Sequence, residues 1–265
     1  MTRKKQQMLR TAINGDSGSL DGNGNPQSVD LNIDRSPYVY QKSKLKNHLK
    51  IASHLKLTPK QIDFLQLATS KETKMVFVTG PAGTSKTYIS ILASLNLLND
   101  KKVSDLIYVR SVVESSDVKM GFLPGEKDEK LSPYIQPLMD KMEELLPVTD
   151  KQQLLNEGRV QGVPVGYLRG LNWNAKAIIA DEVQNLTKKE IYTLITRVGE
   201  FSKLFILGDP SQSDIGTKSG FKEMYDLFND AESREHGIFT YEFTEDDIVR
   251  SELVKFITKK VTIKK

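Results

Sequence analysis

An α/β fold, a mostly parallel sheet with helices on both faces, is what this 265-residue sequence predicts, and three observations predict it. Short apolar runs alternate with stretches of helical periodicity, the pattern of strands joined by crossover helices. One run, MVFVT at 75–79, passes directly into a glycine-bearing loop, GPAGTSKT at 80–87, and then a helix. Two later runs, AIIAD at 177–181 and KLFIL at 203–207, lead into acidic residues, where open parallel sheets bind ligands.

The elements follow in order. Thr58–Pro59 marks a helix start, with threonine as N-cap and proline at the first helical position. The helix PKQIDFLQLAT (59–69) places Ile62, Leu65 and Leu67 on or near an apolar face. After the strand MVFVT and its loop, TYISILASLNLLN (87–99) has helical periodicity, and LIYV (106–109) reads as a buried strand. Helices are predicted over SPYIQPLMDKMEELLP (132–147) and TKKEIYTLITRVGE (187–200), and a later strand over IFTYEF (238–243). Upstream, residues 1–37 form a polar leader rich in Gly, Asn, Asp and Ser from residue 12 onward, expected to be flexible. Residues 38–56 space Leu45, Leu49 and Ile51 among lysines, as a basic amphipathic helix would. The folded domain is expected from Leu57 to about 257, followed by a basic tail at 258–265.

Composition narrows the chemistry. The chain has no cysteine, which excludes disulfides, thiolate metal ligands and a cysteine nucleophile, and its three histidines are scattered. No stretch approaches eighteen apolar residues, so no membrane span is expected, and no signal peptide is legible at the start. A soluble, cytoplasmic protein is the expectation. The net charge of +4 is unevenly placed: residues 1–56 carry +6, residues 255–265 carry +5, and the body between them carries −7. Basic ends on an acidic body suggest contact with a polyanion, which clustered lysines favour by releasing phosphate counterions; solvated tails are the plainer alternative.

The loop GPAGTSKT departs from G-x-x-x-x-G-K-[ST] by a serine, Ser85, in place of the second glycine. Such a loop turns backbone N–H groups toward phosphates, and the helix that follows adds the positive end of its dipole. Gly80, Pro81, Ala82, Gly83, Thr84, Ser85, Lys86 and Thr87 are the candidate cradle, with Lys86 on the β- and γ-phosphates and the Thr87 hydroxyl on magnesium. Positive φ at Ser85 costs about 1 kcal/mol. That is small beside charge-assisted bonds to a triphosphate, each worth about 1.5–3 kcal/mol.

Asp181 and Glu182 supply what the loop requires. Asp181 is the candidate partner of Thr87 on Mg²⁺, and Glu182 the candidate base that polarises the attacking water. A solvated strand end with a helix cap is the alternative for this pair. The third strand ends in GDPSQSD (208–214), where Asp209 faces the same edge and Gln212 is a candidate contact to the γ-phosphate or its water.

Ten motifs occur in a fixed order: LTPKQ (57–61), FVTGPAGTSKT (77–87), GFLPGE (121–126), SPYIQP (132–137), YLRG (167–170), IIADEVQN (178–185), LITRVGE (194–200), GDPSQSD (208–214), KSGF (218–221) and VRS (249–251). Together they resemble the PhoH-like ATPases, particularly compact forms encoded by bacteriophages. The resemblance implies a RecA-like P-loop NTPase core, similar to the first motor domain of superfamily 1 helicases, that uses ATP and Mg²⁺. It also implies that Gln61 reads adenine.

One motor domain alone lacks the arginine that accelerates triphosphate hydrolysis by roughly 10³–10⁵-fold. A homo-oligomeric ring, such as a hexamer, would supply it from a neighbouring subunit. Arg197, Arg250 and Arg169 are the candidates, each with an ion-pair role as its alternative. Arg110, after the strand LIYV, and Lys119 are candidate contacts to the backbone of single-stranded RNA or DNA. The expected function is ATP hydrolysis coupled to single-stranded nucleic acid. The runner-up is an ATP-dependent switch acting on a protein; a small-molecule kinase ranks third, since no acceptor pocket is legible.

Overall fold

A computed structural model of the chain describes residues 45, 47–52, 56–111, 127–249, 253, 256 and 260, with backbone alone for 127–134. The described elements run α1 (Pro59–Thr69), β1 (Met75–Thr79), α2 (Lys86–Asn99), β2 (Asp105–Arg110), α3 (Lys127–Leu145), α4 (Val148–Asn156), β3 (Val160–Pro164), β4 (Lys176–Asp181), α5 (Lys188–Ile195), β5 (Lys203–Gly208), α6 (Phe221–Leu227), α7 (Ala231–Glu235) and β6 (Ile238–Glu242).

The six strands form one sheet in the order β3-β2-β4-β5-β1-β6, and every pairing is parallel. This is the expected α/β fold, with the sheet parallel throughout and helices on both faces. Strand side chains alternate between two cores, as a period of two requires. Val76, Val78, Leu106, Tyr108, Ile179 and Phe205 face one core, built with α1, α2, α3 and α4. Phe77, Ile107, Val109, Ile178, Leu204 and Ile206 face the other, built with α5 and α6. The central strands are apolar throughout because both of their faces are covered.

The helix starts obey the sequence. Thr58 accepts from Gln61 N and Gln61 Oε1 accepts from Thr58 N, a reciprocal box at the start of α1. Thr187 and Glu190 repeat it at α5.

The structure departs from these expectations in four places. Residues 47–52 are not helical. Both backbone groups of Leu49 bond the Asn99 side chain, at 2.8 and 3.0 Å, and Leu45 and Leu49 are buried in the first core, so the packed domain draws on residues upstream of 57. The helix expected over 187–200 stops at Ile195, where the chain turns so that Val198 can bridge Trp173. The helix expected over 132–147 runs instead from Lys127 to Leu145. The edge strand β3, VQGVP, carries no apolar run because its residues are only half-buried; Gly162 is small because a Cβ there would collide with Ile135 Cγ2. Helices α4, α6 and α7 are also additions to the sequence reading.

Lys203 opens β5 almost fully buried, its Nζ donating to Ser70 O and, at 2.7 Å, to Thr73 O. Burial, with Lys102 adding repulsion, pushes its pKa down to about 8. A depressed lysine makes the folded chain bind fewer protons than the unfolded chain between that value and the ordinary value of 10.5. The stability of the wild type relative to Lys203→Met is therefore expected to rise from pH 8 to 10.5, by about 1–3 kcal/mol. Thermal melts of both proteins across that range check it; a flat difference contradicts it.

Candidate nucleotide-binding site

The strand order decides what meets at the carboxyl edge. Because β5 lies between β1 and β4, Asp209 stands between the loop after β1 and the Asp181–Glu182 pair after β4. The loop itself is built from positive φ values: Gly80 at 149°, Gly83 at 89° and Ser85 at 66°. Glycine is required at 80, where a Cβ would lie 2.7 Å from Phe243 Cβ. Ser85 adopts the left-handed geometry that the missing glycine would have taken. It is the N-cap of α2, and among the described residues its side chain makes no capping hydrogen bond, so the first-turn N–H groups remain available to an anion.

Lys86 Nζ donates to Gly80 O at 2.6 Å and Pro81 O at 3.0 Å. Burial lowers its pKa, while Asp209, Asp181 and Glu182 oppose the shift. A desolvated ammonium bonded only to neutral carbonyls favours an incoming phosphate oxygen.

The Thr87 hydroxyl donates to the Asp181 carboxylate, 3.2 and 3.1 Å from its two oxygens. Asp181 also accepts from Tyr108 OH at 2.7 Å and from Glu182 N at 3.0 Å. Tyr108 is buried, and desolvation together with the Asp181 charge raises its pKa, so its hydroxyl remains a donor that fixes the carboxylate. A hydroxyl and a carboxylate at this separation fit Mg²⁺, which takes one or two protein oxygens and completes its shell with water and phosphate.

Glu182 has φ 56° and ψ 38°, so the chain turns sharply out of β4 at the carboxylate. Its Oε2 accepts from Gln184 Nε2 at 2.5 Å. Asp209 accepts from Ser211 N, from Ser211 Oγ and, at 2.5 Å, from Gln212 Nε2.

Lys86, Thr87, Asp181, Glu182, Asp209 and Gln212 line one cavity of ≈ 410 Å³ with Ala82, Gly83 and Ser85 of the loop. Tyr88, Lys141, Glu144, Gln184 and Val249 line it too, all of them missed by sequence reasoning. Lys141 pairs with Glu144 on α3. Val249 N donates to Gly83 O at 2.9 Å, closing the chain over the loop.

The other candidates stand elsewhere. Gln61 is 1% exposed: its Oε1 completes the α1 cap, and its Nε2 donates to Thr84 O at 3.3 Å, within the loop. It is therefore neither a surface residue nor part of the cavity lining. Arg110 ends β2 in register with Asp181, half-buried beside the site. Arg197 lies past the end of α5, with donors on Thr193 O, Leu171 O and Thr196 Oγ1, and is not brought to the cavity. Arg169 is exposed between β3 and β4. Lys119, Arg250 and GFLPGE lie outside the described residues. Among the described residues, no helix is long and apolar enough to cross a membrane.

Comparison with known proteins gives concordant findings. A family profile described as "PhoH-like protein" matches residues 55–262. The "PhoH-like protein" of Bacillus subtilis (strain 168) is 34% identical over 190 residues, 71% of this chain and 58% of that protein. "Protein PhoH" of Escherichia coli (strain K12) is 33% identical over 197 residues, 73% of this chain and 54% of that protein. The chain thus spans little more than half the length of these relatives. They are bacterial, and they lend the narrower bacteriophage affiliation no support. Among solved structures, a large terminase from a thermophilic bacteriophage aligns with TM-score 0.49 at 13% identity, over 77% of this chain and 50% of its own. A Sulfolobus solfataricus SWI2/SNF2 ATPase core in complex with dsDNA aligns with TM-score 0.46 at 14% identity, over 77% and 48%.

Proposed function

The chain belongs to the PhoH-like family, and on that footing we propose that it binds Mg·ATP at the β1–α2 loop and hydrolyses it, coupling turnover to single-stranded RNA or DNA. The observation that carries this reading is the hydrogen bond between Thr87 and Asp181 in a cavity that also holds Lys86 and Glu182.

Each residue has a defined task. Lys86 exchanges the carbonyls of Gly80 and Pro81 for phosphate oxygens and neutralises their charge. Thr87 and Asp181 would hold Mg²⁺, with Tyr108 keeping Asp181 oriented. The cation would supply charge neutralisation at the phosphates. Glu182 takes the proton of the attacking water, and Gln212 orients that water. Gln61, which bonds Thr84 O, supports the loop's shape in addition to any contact with adenine.

Among the described residues the cavity cations are Lys86 and Lys141, with no arginine. A transition state gathering charge on the transferred group needs more, which favours an arginine from a neighbouring copy in a homo-oligomeric ring. Exposed Arg169 is a better-placed candidate than Arg197, whose guanidinium is engaged with Thr193 O, Leu171 O and Thr196 Oγ1, while Arg250 lies outside the described residues.

Nucleic-acid coupling rests on the basic ends of the chain and on Arg110 at the carboxyl edge beside Asp181. Phosphate release measured with single-stranded RNA, single-stranded DNA and duplex is expected to rise severalfold with a single strand. Hydrolysis that no nucleic acid stimulates would favour the protein-switch reading; transfer to an acceptor in place of free phosphate would indicate a kinase.

A further inference from the structure

The β4–β5 ladder runs from Ala177↔Lys203 to Ala180↔Ile206 and then ends. Beyond it lie Asp181–Gln184 on one side and Leu207–Asp209 on the other, the segments that carry the reacting groups. A side chain takes over where the backbone ladder stops. Gln184, 1% exposed, donates from Nε2 to Glu182 Oε2 at 2.5 Å and accepts at Oε1 from Asp209 N at 3.0 Å. Only one orientation of the amide serves both neighbours, because a carboxylate can only accept and a backbone N–H can only donate. Asp209 in turn holds Gln212 Nε2 at 2.5 Å. Glu182 and Gln212 are therefore joined through Gln184 and Asp209, and among the described residues Glu182 Oε1 accepts no hydrogen bond.

The join is reinforced one residue further on. Asn185 and Asp214 exchange two hydrogen bonds at 2.8 Å, and Ser213 Oγ donates to Gln184 O at 3.0 Å. The Gln184 backbone is thereby held to the β5 side independently of its own amide.

We propose that Gln184 is a positioning residue for hydrolysis: it anchors one oxygen of Glu182, leaves the other for the attacking water, and sets Glu182 and Gln212 at a fixed separation. This rests on the assignment of Glu182 as the base. Gln184 need not touch nucleotide; its effect passes through Glu182.

The test uses the full chain with Gln184→Glu, Gln184→Ala and Glu182→Gln, alone and combined. Gln184→Glu keeps an acceptor for Asp209 N but sets a carboxylate against Glu182 in place of a donor. Its kcat is expected to fall roughly 10- to 100-fold with KM for ATP nearly unchanged, the signature of misplacement in the chemical step. In the Glu182→Gln background, single-turnover hydrolysis is expected to change by less than about twofold on adding Gln184→Ala, since residues acting as a unit are not additive. Binding of a fluorescent ATP analogue and a melting curve accompany each variant. A Gln184→Glu protein with wild-type kcat, or losses that simply add, overturns the proposal. Loss of folding in both Gln184 variants also overturns it, by showing a structural role alone. Full turnover in Glu182→Gln would instead refute the assignment of the base.

Discussion

Lys86→Ala is expected to lose ATP hydrolysis by roughly 10²–10⁴-fold, the loss of two charge-assisted contacts at about 1.5–3 kcal/mol each. The wild-type Nζ makes two short contacts to Gly80 O and Pro81 O, and a triphosphate offers charged oxygens to replace them. Folding should survive the change. The side chain contributes no core packing, and its charge is held at a desolvation cost that lowers its pKa. Melting temperature is expected to move by no more than about 4 °C. The same depressed pKa gives a second readout. Phosphate favours the protonated lysine, so wild-type ATP affinity should weaken as pH rises through that pKa, and Lys86→Ala should lack the dependence. Phosphate release, nucleotide titration across pH and a thermal melt check the three statements. A variant that turns over ATP normally would remove the site assignment altogether.

Glu182→Gln is expected to lower kcat by about 10²–10⁴-fold while preserving ATP binding, because it removes the proton acceptor and leaves Lys86, Thr87 and Asp181 in place. The amide replaces the carboxylate with nearly the same shape, and its own oxygen can accept from Gln184 Nε2, so the Gln184 amide keeps its bond to Asp209 N. ATP should therefore remain bound unhydrolysed, which equilibrium binding and single-turnover chemistry separate. Mixing this variant with one lacking the finger arginine, Arg250→Ala or Arg169→Ala, should restore part of the activity if neighbouring copies share sites. Each would then supply what the other lacks. Recovery in no pairing would place the arginine within one subunit.

Much of the site was legible as local pattern. MVFVT–GPAGTSKT, a strand feeding a loop and a helix N-terminus, marks the proposed phosphate loop without knowledge of the sheet. Ser85 illustrates the logic: the position was expected to need positive φ, and it has φ 66°. Asp181–Glu182 and Asp209 were legible because four or five apolar residues running into acids mark the carboxyl end of a buried strand. The exceptions share a cause. Tyr108 reads as one more apolar strand residue; only the adjacency of β2 and β4 turns its hydroxyl onto Asp181. Gln184 reads as a polar residue in a turn, and its role exists only because Asp209 arrives from a strand 25 residues later. Leu45 and Leu49 are spaced like a helix face, but Leu49 is instead held in irregular chain by Asn99. β3 escaped notice because an edge strand half-covered by α3 has no need of an apolar run.

Local pattern was enough for the class of fold, the strand ends that meet at the proposed site, and the strand–loop–helix with its lysine and threonine. Each of these is written within a dozen consecutive residues, where periodicity, caps and glycine geometry act on near neighbours. The sheet order, the hold of Tyr108 on Asp181, the amide of Gln184 between two strands, and the distance of Arg197 from the cavity emerged from the folded arrangement alone. Those depend on contacts between residues far apart in the chain, whose partners are set by packing and carry no local signature.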